Sequence, residues 1–399
     1  MGSDQNNTAT EVFAAFLKLG LTSFGGPVAH LGYFRQEIVE RRGWVDDRAY
    51  GDLVALSQFL PGPSSSQVGI ALGTARAGIK GGLAAWLGFT LPSALVMILF
   101  ALGVTLFSEG ALDAGWLDGL KIVAVAVVAR AVWSMGRQLC PNWPTAGFAV
   151  AAAAVLIWPG PLGQIMAIAL GGAAGWLFLD QGERETPQAL NHGVSRPMAV
   201  ACLALFALLL AFLPLGAALT TAQPLALADS FYRSGALVFG GGHVILPLLQ
   251  AEVVPPGWID RDAFLAGYGV AQALPGPLLT FSAYLGAMID PRWAGLPAAL
   301  LCLVAAFAPS FLLVIGMLPF WEALRRFGAA QAAMAGINAA VVGLLLAALY
   351  DPVWTGAIHA PEDFALALAA YGALAWAKLP PWLVVILCGL AGAALTSMN

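Results

Sequence analysis

The chain has 399 residues, 60% of them hydrophobic and 10% charged, with a formal net charge of −4 and a mean hydropathy of +0.81. Soluble domains carry roughly 25% charged residues, so a water-soluble globule is excluded, and an acidic chain with no basic tract argues against nucleic acid as a partner. What remains is an all-α, polytopic membrane protein whose first partner is the lipid bilayer, since hydrocarbon leaves backbone polar groups no alternative to helices.

Residues 1–10 are polar and contain no Lys or Arg. The basic start of a secretory signal peptide is missing, so the first apolar segment is expected to stay in the membrane. Apolar segments run near 12–34, 47–75, 82–107, 117–138, 144–158 and 161–179, with an unpaired one near 197–213. A second series lies near 229–250, 262–289, 294–318, 330–350, 362–377 and 380–396. Several approach or exceed the roughly 20 residues that cross a bilayer. The polar stretch 180–197 reads as a linker. It divides the chain into a first unit at 1–190, a linking segment with the unpaired helix at 191–226, and a second unit at 227–399. Cys140, Cys202, Cys302 and Cys388 lie far apart without metal-type spacing and read as small packing residues. No nucleophilic, metal-hydrolytic or nucleotide-binding motif is present, so neither an enzyme nor an ATP-driven pump is expected, and no cofactor or metal is implied.

The two units read as copies. Phe16 aligns with Phe231, Lys18 with Arg233, Gly20 with Gly235, and Phe24-Gly25-Gly26 with Phe239-Gly240-Gly241. Glu37 aligns with Glu252. After a one-residue gap, Gly43-Trp44-Val45-Asp46 aligns with Gly257-Trp258-Ile259-Asp260, and Gln58-Phe59-Leu60-Pro61-Gly62-Pro63 with Gln272-Ala273-Leu274-Pro275-Gly276-Pro277. Shared order and near-constant spacing indicate duplication. Seven crossings between equivalent points would invert one half relative to the other, a common transporter plan. The loop holding Arg35, Arg41, Arg42 and Arg48 is then cytoplasmic, while its counterpart, with Arg261 alone, lies outside. Arg325 and Arg326 fall outside on the same count, and re-entrant Pro-Gly-Pro hairpins would change it.

The Pro-Gly-Pro sites carry the chemistry. Proline removes a backbone donor and glycine opens the chain, so Pro61-Gly62-Pro63 and Pro275-Gly276-Pro277 are expected to break their helices mid-segment. Pro63 suits the first position of the next half-helix. The amides and side chains of Ser64, Ser65, Ser66 and Gln67 then stand at a positive helix end, a natural anion site. The second copy offers Thr280 alone. Gly25-Gly26 and Gly240-Gly241 are either further breaks beside substrate or sites of close helix packing. Ionisable groups within a span default to functional hypotheses, which brings in Lys18, Arg233, Lys121 and Arg130 as charge-balancing candidates; Lys18 and Arg233 could equally snorkel to the interface. Lys121 and Arg130, nine residues apart, fall on opposite helix faces. The first polar loop, with Arg35, Glu37, Arg41 and Arg42, sets orientation or forms an anion funnel. His30 and His243 are not at equivalent positions and read as hydrogen-bonded helix histidines.

The run Phe24-Gly25-Gly26-Pro27…His30-Leu31…Arg35…Glu37…Arg41-Arg42…Trp44…Asp46, followed by Gln58 through Gln67, resembles the signature of the chromate ion transporter family. The Phe-Gly-Gly-Gly-His and Gln-Ala-Leu-Pro-Gly-Pro blocks are similar to the second copy in its long, two-domain members. The resemblance implies a bacterial inner-membrane secondary transporter, an antiporter that exports chromate and confers chromate resistance, with sulfate as a chemical relative and competitor. The alternatives are a proton- or sodium-coupled sulfate importer and an anion channel. A homodimer is left open as the assembly. Because Ser64-Ser65-Ser66-Gln67 becomes Leu278-Leu279-Thr280-Phe281, the two anion-facing ends should differ.

Overall fold

The computed structural model describes residues 8–106, 115–156, 161–179, 193–289, 295–325 and 327–398. Residues 1–7, most of the 180–197 linker and Arg326 therefore lie outside the described residues. The first half supplies α1 (Ala9–Thr22), α2 (Gly26–Phe34), α3 (Asp47–Phe59), α4 (Ser64–Leu106), α5 (Gly115–Leu139), α6 (Trp143–Val155) and α7 (Pro161–Phe178). Next come α8 (Arg196–Leu219), α9 (Gln223–Ala236), α10 (Ile245–Val253), α11 (Arg261–Ala273), α12 (Phe281–Ile289), α13 (Leu296–Met317), α14 (Trp321–Arg325), α15 (Gly328–Ala348), α16 (Pro361–Ala375) and α17 (Pro381–Met398). Among the described residues, α4, α5, α8, α13 and α15 are long and apolar enough to cross a membrane. The chain is an all-α polytopic membrane protein.

Two sequence expectations are sharpened by these boundaries. The apolar segment near 12–34 is two helices rather than one, because Gly25 and Gly26 adopt positive φ of 98° and 81° and halt α1 from running into α2. The segment near 47–75 is likewise cut, with α3 ending at Phe59 and α4 beginning at Ser64. Pro63 stands just before the first helical residue rather than within the first turn. At 14 and 13 residues, α1 and α3 reach only ~20 Å, short of the ~30 Å hydrocarbon layer. The same holds for α9 and α11 in the second half. These are half-helices whose ends meet inside the protein.

Local chemistry explains the repeated motifs. In Gly-Trp-Val-Asp, Asp46 caps α3 by accepting from the Ala49 N–H at 2.7 Å, and in Gly-Trp-Ile-Asp, Asp260 caps α11 by accepting from the Ala263 N–H at 2.8 Å. Gly20 lets α1 approach α4 so closely that a Cβ there would lie 2.8 Å from the Phe89 carbonyl. Gly235 does the same for α9 against the Ala306 carbonyl of α13. Such close approach is the packing device of membrane helices, where small residues replace the hydrophobic drive.

Equivalent helices make equivalent contacts. α1 packs on α4 as α9 packs on α13, while α5 packs on α16 and α17 as α15 packs on α6 and α7. Each half therefore completes its packing with helices of the other. The unpaired helix α8 lies on the outside against α9 and α13, and presents Leu205, Leu208 and Phe212 outward. Cys302 and Cys388 are buried among packed helices.

Candidate functional site

The four chain breaks meet. The Gly62 N–H donates to the carbonyl of Val238 at 2.5 Å, and the Gly276 N–H donates to the carbonyl of Ser23 at 2.9 Å. Ser23 and Val238 each precede their own Phe-Gly-Gly, so each Pro-Gly-Pro turn is tied to the other half's glycine break. Gly62 is held between the Gln67 side chain and the Ser310 hydroxyl, which lies 2.5 Å from where a Cβ would stand. Gly276 has the matching neighbours, the Phe89 carbonyl and the Ser93 hydroxyl, each 3.0 Å from its would-be Cβ. Ser93 and Ser310 follow Pro92 and Pro309, the prolines inside α4 and α13. Sequence reasoning passed over both serines. The signal was present: a Pro-Ser pair recurs at the same place in each half, inside otherwise apolar helices.

Of the described polar atoms that are buried without a partner, six belong to the breaks, to residues that follow or precede them, or to Ser310 beside the Gly62 turn, and others, such as Thr74 Oγ1 and Asn338 Oδ1, lie elsewhere in the helices. Among the described residues, Ser23 Oγ, His30 Nε2, Ser66 Oγ, Gln67 Oε1, Gln272 Nε2 and Ser310 Oγ are buried without a hydrogen-bond partner. Native proteins leave few such atoms, and each calls for an account. The first-turn N–H groups of Ser64, Ser65 and Ser66 are also ones that α4 cannot satisfy internally. His30 Nδ1 lies 3.2 Å from Ser65 Oγ. When the Ser65 hydroxyl donates to Nδ1, the ring proton sits on Nε2. Gln67 behaves differently from the sequence expectation. Its Nε2 donates to the Pro61 carbonyl at 2.6 Å, so its free atom is an acceptor, and its role here is to brace the turn. Thr280 also differs from Ser66, its counterpart: its hydroxyl donates to the Pro277 carbonyl at 2.9 Å.

The cations divide into paired and unpaired. Lys18 Nζ contacts Glu37 at 2.7 Å, and Arg233 contacts Glu252 at 2.9 Å. The aligned residues thus form the same ion pair in both halves, and both cations are engaged in structure. Glu37 also takes Arg41 at 3.1 Å and Arg42 at 2.9 Å. Burial raises the Glu37 pKa, but hydrogen bonds and charge from Lys18 and Arg42 more than offset this and hold it below the usual carboxylate range. Arg35 pairs with Glu40 and Asp47 on the exposed loop. Lys121 is locked between Asp118 at 2.7 Å and Asp262 at 3.2 Å. Arg130 stands apart. It is exposed on α5, and none of the described carboxylates lies within 4.0 Å of it. His243 Nδ1 lies 3.2 Å from Tyr268 Oη, and its Nε2 is 3.9 Å from where a Cβ on Gly26 would stand. Of the four cations expected near substrate, Arg130 is the one without an ion pair to a described carboxylate.

The sequence profile of the chromate transporter family matches residues 10–176 and, a second time, residues 225–393. This chain belongs to the chromate transporter family. Two matches, one per half, make it a two-domain member, and α8 falls between them. The chain is similar to the chromate transport protein of Pseudomonas aeruginosa, at 30% identity over 96% of this chain and 91% of that one. It is also similar to the probable chromate transport protein of Synechococcus elongatus, at 27% identity over 94% and 93%. The chromate transport protein of Cupriavidus metallidurans is 28% identical over 86% and 82%. No solved structure matches the chain. All four breaks of this transporter, with Ser66, Arg130 and Ser310, lie inside the matched ranges.

Proposed function

We propose that this chain is a secondary transporter of the bacterial inner membrane that carries chromate out of the cytoplasm and so confers resistance to it. The observation that carries the reading is the group of buried, unpartnered polar atoms where the broken helices cross. A tetrahedral dianion gives up its hydration shell only to preorganised donors. The Ser66 hydroxyl, the His30 imidazole and the first-turn amides of α4 are donors of that kind, at the positive end of a helix. Arg130 supplies compensating charge, and none of the described carboxylates pairs with it. The two halves, inverted with respect to one another, rock around the crossing, and their glycine and proline breaks serve as hinges. Export runs with the field: moving a dianion out of a negative interior gains about 4.6 kcal/mol per 100 mV, twice the single-charge value.

Flux of labelled chromate and sulfate in vesicles of known orientation, with potential and pH gradient set independently, tests this. Potential-driven saturable flux from the cytoplasmic side is expected, with sulfate competing, and replacing Ser64, Ser65 and Ser66 together by alanine should reduce it at least tenfold. Inward flux that requires a proton or sodium gradient would make the protein an importer instead. Non-saturating conduction would make it a channel. Arg130→Gln should leave the protein folded, because it orphans no partner, and should raise the half-saturating chromate concentration roughly tenfold, the effect of about 1.4 kcal/mol. An unchanged concentration dependence would remove Arg130 from the substrate path.

A further inference from the structure

The duplication suggests two equivalent anion sites, one at each Pro-Gly-Pro, but the polar groups at the two crossings are not disposed alike. At the second crossing, the counterparts of Ser310 and Ser66 are already engaged, although Ser23 Oγ, Thr90 Oγ1 and Gln272 Nε2 nearby have no partner among the described residues. Ser93 donates to the Thr90 carbonyl at 3.2 Å and Thr280 to the Pro277 carbonyl at 2.9 Å. The residues that open the following half-helix there are Leu278 and Leu279, which offer an anion no side-chain donor. At the first crossing the matching hydroxyls are free. Ser66 Oγ and Ser310 Oγ are both buried, at 2% and 0% residue exposure, and neither has a partner among the described residues. Ser310 comes from α13, in the other half, and reaches the Gly62 turn directly. A buried hydroxyl with no partner is destabilising, a cost that a bound anion would remove.

We propose that the transporter holds its oxyanion at the first-half break and that Ser310 of the second half completes that site, a part its counterpart Ser93 does not play at the second crossing. This rests on the oxyanion reading of the site and deepens it by naming which break binds and which residue from the other half takes part. The arrangement has a mechanical consequence. Since Ser66 and Ser310 belong to different halves, an anion held by both ties the halves together, and any relative movement that parts them weakens its grip.

The test measures equilibrium binding of labelled sulfate and chromate to the purified full chain in detergent, with melting temperature followed in parallel. Ser310→Ala should weaken affinity for both anions tenfold or more, since a hydrogen bond to a charged group is lost. Ser93→Ala, its counterpart at the second crossing, should stay within twofold of wild type. If Ser310→Ala purifies poorly, Ser310→Cys keeps the bulk with a weak donor and is expected to bind less tightly than wild type. Wild-type affinity in the folded Ser310 variants, or an equal loss in Ser93→Ala, overturns the assignment of Ser310 to the anion site while leaving oxyanion transport standing. A wild-type protein that binds neither anion overturns the oxyanion reading itself.

Discussion

Replacing Gly62 by alanine is expected to abolish saturable chromate flux and oxyanion binding while lowering the melting temperature by only several degrees. Gly62 has φ of 134°, a backbone region that costs a residue with a Cβ on the order of 1–3 kcal/mol. The added methyl would also collide with the Gln67 side chain and lie 2.5 Å from Ser310 Oγ. Either side chain must therefore move. If Gln67 gives way, it loses its bond to the Pro61 carbonyl, and the turn that presents the first amides of α4 is no longer braced. If Ser310 gives way, the hydroxyl supplied by the other half leaves the crossing. Both routes damage the site more than the fold. Gly276→Ala is the informative comparison. At φ of 95°, with the rigid Phe89 carbonyl 3.0 Å from the added carbon, it should destabilise at least as much, yet retain sulfate binding within a few-fold. Binding in detergent and flux in vesicles, measured on both variants beside their melting curves, separate the two effects. Normal binding by Gly62→Ala would mean that the first turn is not where the anion is held.

Much of this architecture was legible in the sequence, for identifiable reasons. Helical membrane character follows from apolar length, because lipid leaves no other way to satisfy the backbone. The breaks were legible because proline and glycine act on their own backbone, so no knowledge of tertiary contacts is needed to place a helix end before Ser64 or at Gly25. The Lys18–Glu37 and Arg233–Glu252 pairs were half legible. All four residues aligned, and the constant spacing of 19 residues was the unused clue that they pair with each other rather than with substrate. What could not be read was contact across the duplication. The packing of α5 on α16 and α17 joins apolar faces dense in small residues, which carry no code for a particular partner. Ser310 was signalled only by the recurrence of a Pro-Ser pair in the two halves, and its part in the crossing was not: a hydroxyl within α13 looks like ordinary helix packing until the Gly62 turn is seen against it. Gln67 shows a different limit. Its residue type and position suggested a donor to the anion, but its donor is committed to the Pro61 carbonyl, which only geometry reveals.

The ion pairs lead to the second large effect, on stability rather than transport. Arg233→Leu is expected to destabilise the protein by about 3–5 kcal/mol, the range for removing one partner of a buried charge pair, whereas Lys18→Leu should cost at most about 1 kcal/mol. The residues are aligned, so the difference must come from their surroundings. Arg233 is only 22% exposed and contacts two carboxylates, Asp229 and Glu252, each 10% exposed and each 2.9 Å away. Leucine fills part of the space but leaves two buried carboxylates facing each other without a cation. Lys18 is 47% exposed, and its partner Glu37 keeps Arg41 and Arg42 when the lysine is lost. Melting temperatures in detergent should therefore fall much further for Arg233→Leu. Adding Glu252→Gln to that variant should recover part of the loss, because one of the two stranded charges is gone. Equal shifts for the two single variants would show that the second-half pair is as well hydrated as the first. A double variant no more stable than Arg233→Leu alone would place the cost in lost packing of the arginine stem rather than in unpaired charge.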